Sequence, residues 1–236
     1  MHESENFLSI IIPVRNERDP LYNLISCLKN QSFPNFNIII AGQLVDDEQR
    51  LFLNVNNICV IKGGLPGEGR NHGVNVSESK YILFLDADVT ISEDFIFQAL
   101  KTMIEGEFSA ISFDFIPDKS NFILDILFGF GKVYFKILNS IGLARGIGGG
   151  ILVKREAHQM INGFNEAVKI GEDLDYIQRI SKVCRYSYVT KPTLIVSTRR
   201  FINEGNFKLF FKYIFIELHR VFFGENRLKQ VYIYNL

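Results

Sequence analysis

Two carboxylates separated by one residue close the segment LFLDADV at 83–89. The five residues YILFL at 81–85 that lead into them have the length and composition of a buried strand. Side chains at i and i+2 share a face of a strand, so Asp86 and Asp88 reach a common ligand as the strand ends. A hard divalent cation, Mg²⁺ or Mn²⁺, suits them. Such ions take one or two carboxylates and complete their shell with water or phosphate oxygens. Taken alone, the same pair is equally an exposed polar turn.

Four further clusters carry chemical potential. PVRNE at 13–17 places polar groups directly after the apolar run LSIIIPV (8–14); it is also an ordinary helix-leading loop. In GEGRNHG at 67–73, glycines permit close backbone approach, and Arg70 at a helix start can meet an anion. The stretch NGFNEAVKIGEDLDYIQRI (162–180) sets Glu172 and Asp173 in the first turn of a helix. There one of them can act as a general base, or both simply counter the helix dipole. Arg199 and Arg200 follow the run TLIVST (193–198), where they can hold a diphosphate or remain a solvated pair.

The elements that must position these groups alternate. Strands are expected at 8–14, 37–41 (NIIIA), 58–61 (ICVI), 81–85, 108–115 (FSAISFDF) and 193–198. Helices are expected from Asp19–Pro20, briefly around Asp46, Asp47 and Glu48, from about Arg70 after the loop KGGLPGEG, from Ser92, and over 171–183. RGIGGGILVKRE reads as a glycine-rich loop, a short strand and a helix. This alternation predicts an α/β fold with a mostly parallel central sheet flanked by helices. Ligands of such sheets bind beyond the carboxyl ends of the strands, which singles out Arg15–Glu17, Gly42 and Asp86–Asp88.

Composition sets outer limits. The 236 residues suit one large domain, and 47% hydrophobic content supplies its core. The 26 basic and 26 acidic side chains cancel, which argues against broad nucleic-acid binding. Cys27, Cys59 and Cys184 form no CxxC pair, as expected in a reducing compartment. A basic-plus-apolar leader is missing, and no run of about 18 uncharged apolar residues occurs. The expected location is therefore the cytoplasm. Two segments qualify this: 121–144 and the Phe-rich 207–223 mix apolar and charged residues in the manner of helices that lie on a membrane face.

Jointly, in their order and spacing, the clusters resemble family 2 glycosyltransferases of the Rossmann-like GT-A fold over about residues 7–200. PVRNE is similar to that family's P-x-x-N-E, GRNHG to its A-R-N-x-G, and YILFLDADV to its Y-I-x-F-L-D-x-D strand with the DxD motif. NGFNEAVKIGEDLD resembles its G-G-F-[DN]-E…x-E-D-x-D element, and STRRF the close of its membrane-associated members. The resemblance implies a hexosyl-type transferase that inverts its sugar and uses a nucleotide-diphosphate sugar with Mg²⁺ or Mn²⁺. It implies that Pro13, Val14, Arg15, Glu17 and Gly42 line the nucleotide pocket with Arg70 near it. Asp86 would face the ribose and diphosphate, and Asp88 would ligate the metal. Asp173 would be the base, with Glu172 a supporting carboxylate and Arg199 and Arg200 on the diphosphate. Expected units are a transferase domain at 1–200 (donor half about 7–115, acceptor half about 116–200) and an amphipathic helical tail at 201–236. The expected acceptor is a glycan or a polyprenyl-type lipid. One departure stands out: Ala41 and Gly42 fall where the family carries a base-reading acid, and Asp46 and Asp47 arrive later. Rival readings are a non-catalytic sugar-nucleotide-binding or membrane scaffold protein, and a sugar nucleotidyltransferase. The latter usually opens with a glycine-rich loop, which PVRNERDP lacks.

Overall fold

The computed structural model describes residues 7–15, 18–42, 57–205, 207–209, 211–212 and 214–215. Asn16, Glu17, the acidic segment around Asp46 and the tail beyond 215 lie outside the described residues.

Strands β1 (Leu8–Pro13), β2 (Phe36–Ala41), β3 (Ile58–Ile61) and β4 (Tyr81–Leu85) run parallel, with β1 between β2 and β4 and with β3 outside β2. β1, β2 and β4 are the near-continuous apolar runs expected of strands covered on both faces, whereas Cys59 and Val60 of the outer β3 are exposed. The short β5 (Val89–Thr90), β6 (Ala110–Pro117), β7 (Gly150–Lys154) and β8 (Tyr186–Val196) complete one sheet in the order β3-β2-β1-β4-β7-β6-β8-β5. Parallel pairing holds through the first four strands and for β6 with β8. β7, by contrast, runs antiparallel to both β4 and β6, and β5 antiparallel to β8, so the sheet is mixed. Strand β8 begins seven residues before the expected TLIVST, at Tyr186. It reaches that length by a register shift opposite Phe113 and Asp114, next to the cis Lys191–Pro192 bond.

Seven helices are described: α1 (Arg18–Lys29), α2 (Pro66–Val76), α3 (Phe95–Glu105), α4 (Phe122–Ser140), α5 (Arg155–Met160), α6 (Glu172–Val183) and α7 (Arg199–Glu204). One face of the sheet packs Leu83, Leu85 and Phe113 against Leu24, Phe95 and Leu124. The other packs Ile11, Phe84 and Ile151 against Val74, Tyr176 and Ile177. Helix α2 starts at Pro66 rather than near Arg70, so Gly67 and Gly69 lie inside it. The cause is close packing on the strands. A Cβ on Gly73 would come within 2.4 Å of Ile11 Cγ2, and one on Gly69 within 3.4 Å of Ala41 Cβ. Helix α3 starts after Asp94 instead of Ser92, whose hydroxyl donates to the Asp94 carboxylate.

Candidate functional site

The carboxyl ends of β1, β2 and β4 share one edge, where Pro13, Val14, Gly42 and Asp86 lie. Val14 N–H donates to Ala41 O, and Gly42 N–H to Ile61 O, each at 3.0 Å. A Cβ on Gly42 would meet Val14 O at 2.4 Å, one on Gly63 would meet Gly42 Cα at 2.6 Å, and one on Gly69 would lie 3.6 Å from Pro13 Cβ. Pro13, Val14 and Gly42 therefore belong to a floor of closely approaching backbone. Arg15 projects outward from it, exposed.

Beside this floor, Arg70 is 2% exposed. One Nη donates to Asp86 Oδ1 at 2.6 Å and the other to Glu172 Oε1 at 2.8 Å. The guanidinium also lies 5.1 Å from the centre of the Phe164 ring. Burial alone would lower its pKa, but Asp86, Glu172 and Asp173 reverse this and hold it above its ordinary value. Burial pushes the Asp86 carboxyl up to about 6; Arg70 opposes that, while the charges of Asp88, Glu172 and Asp173 add to it. Asp86 nevertheless keeps 35% of its side chain accessible, so it titrates at the open mouth of the site. Four carboxylates from two distant stretches of chain thus act on one another around a buried arginine.

Local structure explains the convergence. Asp86 N–H donates to Gly149 O at 3.2 Å, tying the end of β4 to the glycine-rich loop before β7. A Cβ on the neighbouring Gly148 would sit 2.7 Å from Asp173 Oδ2, so that loop presses directly on the predicted base. On α6, Glu172 and Asp173 lie four residues before Tyr176 and Ile177, on the face that enters the core. Tyr176 stacks on Phe164 at 4.1 Å and meets Phe84 of β4 edge-on at 6.0 Å. Gly171, in a left-handed conformation (φ 69°), turns the chain into this helix.

Three contributors escaped the sequence reading. Asn71 clamps the turn before α6: its side chain donates to Phe164 O and accepts from Phe164 N–H, both at 2.9 Å. Phe164 faces Arg70, and Gly148 abuts Asp173. The first two stood inside the quoted GRNHG and NGFNE segments, which signalled that the segments mattered but not that they touch each other. Arg199 and Arg200 open α7 and are exposed. They leave the sheet just after Val196, which pairs with Val89, the neighbour of Asp88. Among the described residues, no group of three or more His, Cys, Asp or Glu side chains forms a ready-made ion cage. Asp86 and Asp88 fit the alternative, in which the protein gives an ion two carboxylates and a bound phosphate gives the rest.

A model of the family described as "Glycosyl transferase family 2" matches residues 9–160, a span that includes the floor, Arg70 and both aspartates of the β4 turn. The chain belongs to glycosyl transferase family 2. Its α6 carboxylates lie beyond the matched span.

Similar proteins agree with that membership. The amylovoran biosynthesis glycosyltransferase AmsB of Erwinia amylovora is 31% identical over 111 residues, covering 42% of this chain and 37% of that protein. An uncharacterized glycosyltransferase of Rickettsia felis is 29% identical over 186 residues, 73% of this chain and 29% of the relative. The chain thus spans about a third of the length of these relatives. The structure of S. aureus TarS 1–349 in complex with UDP-GlcNAc superposes with a TM-score of 0.65 at 18% identity, over 81% of this chain and 58% of that one. The mannosyltransferase PcManGT of Pyrobaculum calidifontis, in complex with GDP-Man and Mn²⁺, gives 0.64 at 14% identity, over 82% and 57%. Their fold is the fold of this family 2 chain.

Proposed function

We propose that this chain transfers a hexosyl group from a nucleotide-diphosphate sugar to an acceptor, with inversion at the anomeric carbon. The observation that carries the reading is the meeting of Asp86 and Glu172 on Arg70, with the charge of Asp173 acting on the same guanidinium and that of Asp88 on Asp86. Donor and acceptor halves, about 7–115 and 116–200, would each supply a pair of these carboxylates, with 201–236 as a tail.

In this reading the nucleotide lies over the backbone floor at Pro13, Val14 and Gly42. Gly42 carries no side chain, which lets its backbone lie against Val14 and close that floor. Asp88, with Asp86 beside it, would hold Mg²⁺ or Mn²⁺, which neutralises charge on the leaving diphosphate when bound. Arg199 and Arg200 would add charge-assisted hydrogen bonds to that group. Asp173 takes the proton of the attacking hydroxyl, and Glu172 stays fixed by Arg70. Arg70, buried and paired with two carboxylates, acts as a positioning residue rather than as a direct nucleotide contact. The UDP-GlcNAc and GDP-Man named for the two superposed structures support a nucleotide-sugar donor. A poly(ribitol-phosphate) beta-glucosyltransferase of Bacillus spizizenii, 32% identical over 98 residues, supports a glycan or polyol acceptor. A polyprenyl-linked glycan is the lipid form of the same chemistry, and it would place the work at the cytoplasmic face of a membrane.

The test is a thermal-shift panel of nucleoside diphosphates with and without Mg²⁺ or Mn²⁺, followed by transfer assays on Asp173→Asn. A metal-dependent shift for one nucleotide is expected. The variant should retain that shift while transfer to a hydroxyl falls by about 10²–10⁴-fold. Wild-type transfer by the variant removes Asp173 from the base role, and no nucleotide binding at all defeats the donor reading.

A further inference from the structure

Helix α4 has three chemically different faces. Leu124, Leu127 and Phe128 are buried against the sheet. Lys132 reaches toward Asp114 of β6 at 3.7 Å. The remaining face points outward and is apolar: Phe122 (81% exposed), Ile126 (42%), Phe130 (65%), Val133 (54%) and Ile137 (56%), continued by Ile141 (64%). These residues follow one another at intervals of three or four, so at 3.6 residues per turn they fall within an arc of about 100°. The stripe is about 28 Å long at 1.5 Å per residue. Scattered exposed apolar residues are normal, but a contiguous stripe of this size marks an interaction surface.

We propose that this stripe, extended by Phe207, Phe211 and Phe215, docks the protein flat on an anionic lipid bilayer. The three phenylalanines are 56%, 61% and 50% exposed. Phe128 and Phe201 pack at 5.4 Å, which sets α7 against α4. Charge selects the occupant. Leaving aside Arg199 and Arg200, which the proposed reaction uses, 118–140 and 201–215 carry five Lys against three Asp or Glu, in a chain whose formal net charge is zero. Positive charge is thus concentrated on the segments that present the apolar stripes, and exposed Lys136 and Lys208 sit within them. Phenylalanines bordered by lysines suit the boundary between acyl chains and anionic headgroups. A second copy is a poorer occupant, because a twofold contact through this face would oppose the same basic segments to each other. Among the described residues no helix is long and apolar enough to cross a membrane, so the contact lies in the interface. Docking through this face is independent of the transfer reaction, and failure of either leaves the other standing.

Flotation of the full chain tests it. With vesicles of phosphatidylcholine plus phosphatidylglycerol the protein should float, and with pure phosphatidylcholine it should bind about tenfold more weakly. The double variant Phe130→Asp/Ile137→Asp should lose at least about tenfold in vesicle partitioning with an unchanged melting curve. Lys136→Glu should lose about fivefold on anionic vesicles alone. If the double variant folds poorly, Phe122→Asp, at the first turn of α4, takes its place with the same expected direction. Floating by the apolar variants at the wild-type level, or no binding of the wild type to either vesicle, overturns the proposal. So does light scattering that shows a dimer which these variants dissolve, since that assigns the face to a second copy.

Discussion

Arg70 and Glu172 stand 102 positions apart in sequence and meet at 2.8 Å, while the same guanidinium holds Asp86 at 2.6 Å. One buried cation therefore fixes the turn after β4 to the first turn of α6. Breaking such a pair strands uncompensated charge, which typically costs about 3–5 kcal/mol. Arg70→Met is expected to destabilise the fold by roughly the lower end of that range, about 3 kcal/mol, because Asp86 is partly open to water. Arg70→Lys should recover part of the loss, since an ammonium lacks the fork that spans both carboxylates. Urea unfolding measures both; a methionine variant as stable as the wild type would falsify the bridging role.

Asp88 gives a separate prediction. It lies two residues beyond Asp86 on the same turn, and its charge acts on that carboxyl. In Asp88→Ala, nucleotide binding should persist at the metal-free level but lose its response to Mn²⁺. Calorimetry with and without the ion measures this. Equal enhancement by Mn²⁺ in variant and wild type would place the ion elsewhere.

Much of this site was legible in the sequence because its parts are local. YILFL and ICVI delimit β4 and β3, but β4 ends at Leu85, so Asp86 and Asp88 lie in the turn beyond it, where the i, i+2 alternation of a strand no longer applies. Local pattern likewise delimits α6, whose first-turn acids stand ahead of Tyr176, Ile177 and Ile180. What spacing does not encode is pairing between distant segments. GILVK reads as a strand, but its antiparallel insertion between β4 and β6 is decided by the sheet. Arg70 looked like an anion contact, yet its two Nη groups are held by carboxylates of two segments, because α2 packs close enough on Ile11 and Ala41 to bury it. The glycines of KGGLPGEG suggested a loop, although Gly67 and Gly69 lie within the helix, Gly69 against Ala41 and Gly67 against Phe164 and Glu172.

Gly148 ties the loop before β7 to Asp173, the proposed base. Any Cβ there would stand 2.7 Å from Asp173 Oδ2 and 2.9 Å from its Cβ. Gly148→Ala must therefore push the base or its helix aside. In the proposed reaction a base displaced from its acceptor lowers kcat, by about 10²-fold for a displacement near 1 Å, while the nucleotide floor is untouched. Steady-state kinetics should show kcat reduced and the donor KM near the wild-type value. A raised donor KM at unchanged kcat would instead assign the loop to donor binding.

His158 predicts the acid limit of the fold. It is 5% exposed, lies 2.9 Å from the Tyr176 hydroxyl through Nδ1, and packs against Phe84 and Phe164. Burial, then Arg155 and Arg179, lower its pKa from 6.5 to about 4. Between those values the unfolded chain takes up a proton that the folded chain refuses. Stability from the neutral ring is therefore complete above pH 6.5 and is lost progressively as pH falls toward 4. Each pH unit crossed between the two values removes about 1.4 kcal/mol, so the full loss is on the order of 3 kcal/mol. Replacing the ring by an amide, His158→Gln, keeps a polar partner for Tyr176 but removes the titration. Denaturation midpoints recorded from pH 7 to about 4 should fall less steeply for that variant, and parallel curves for the two proteins would show that other groups set the acid limit.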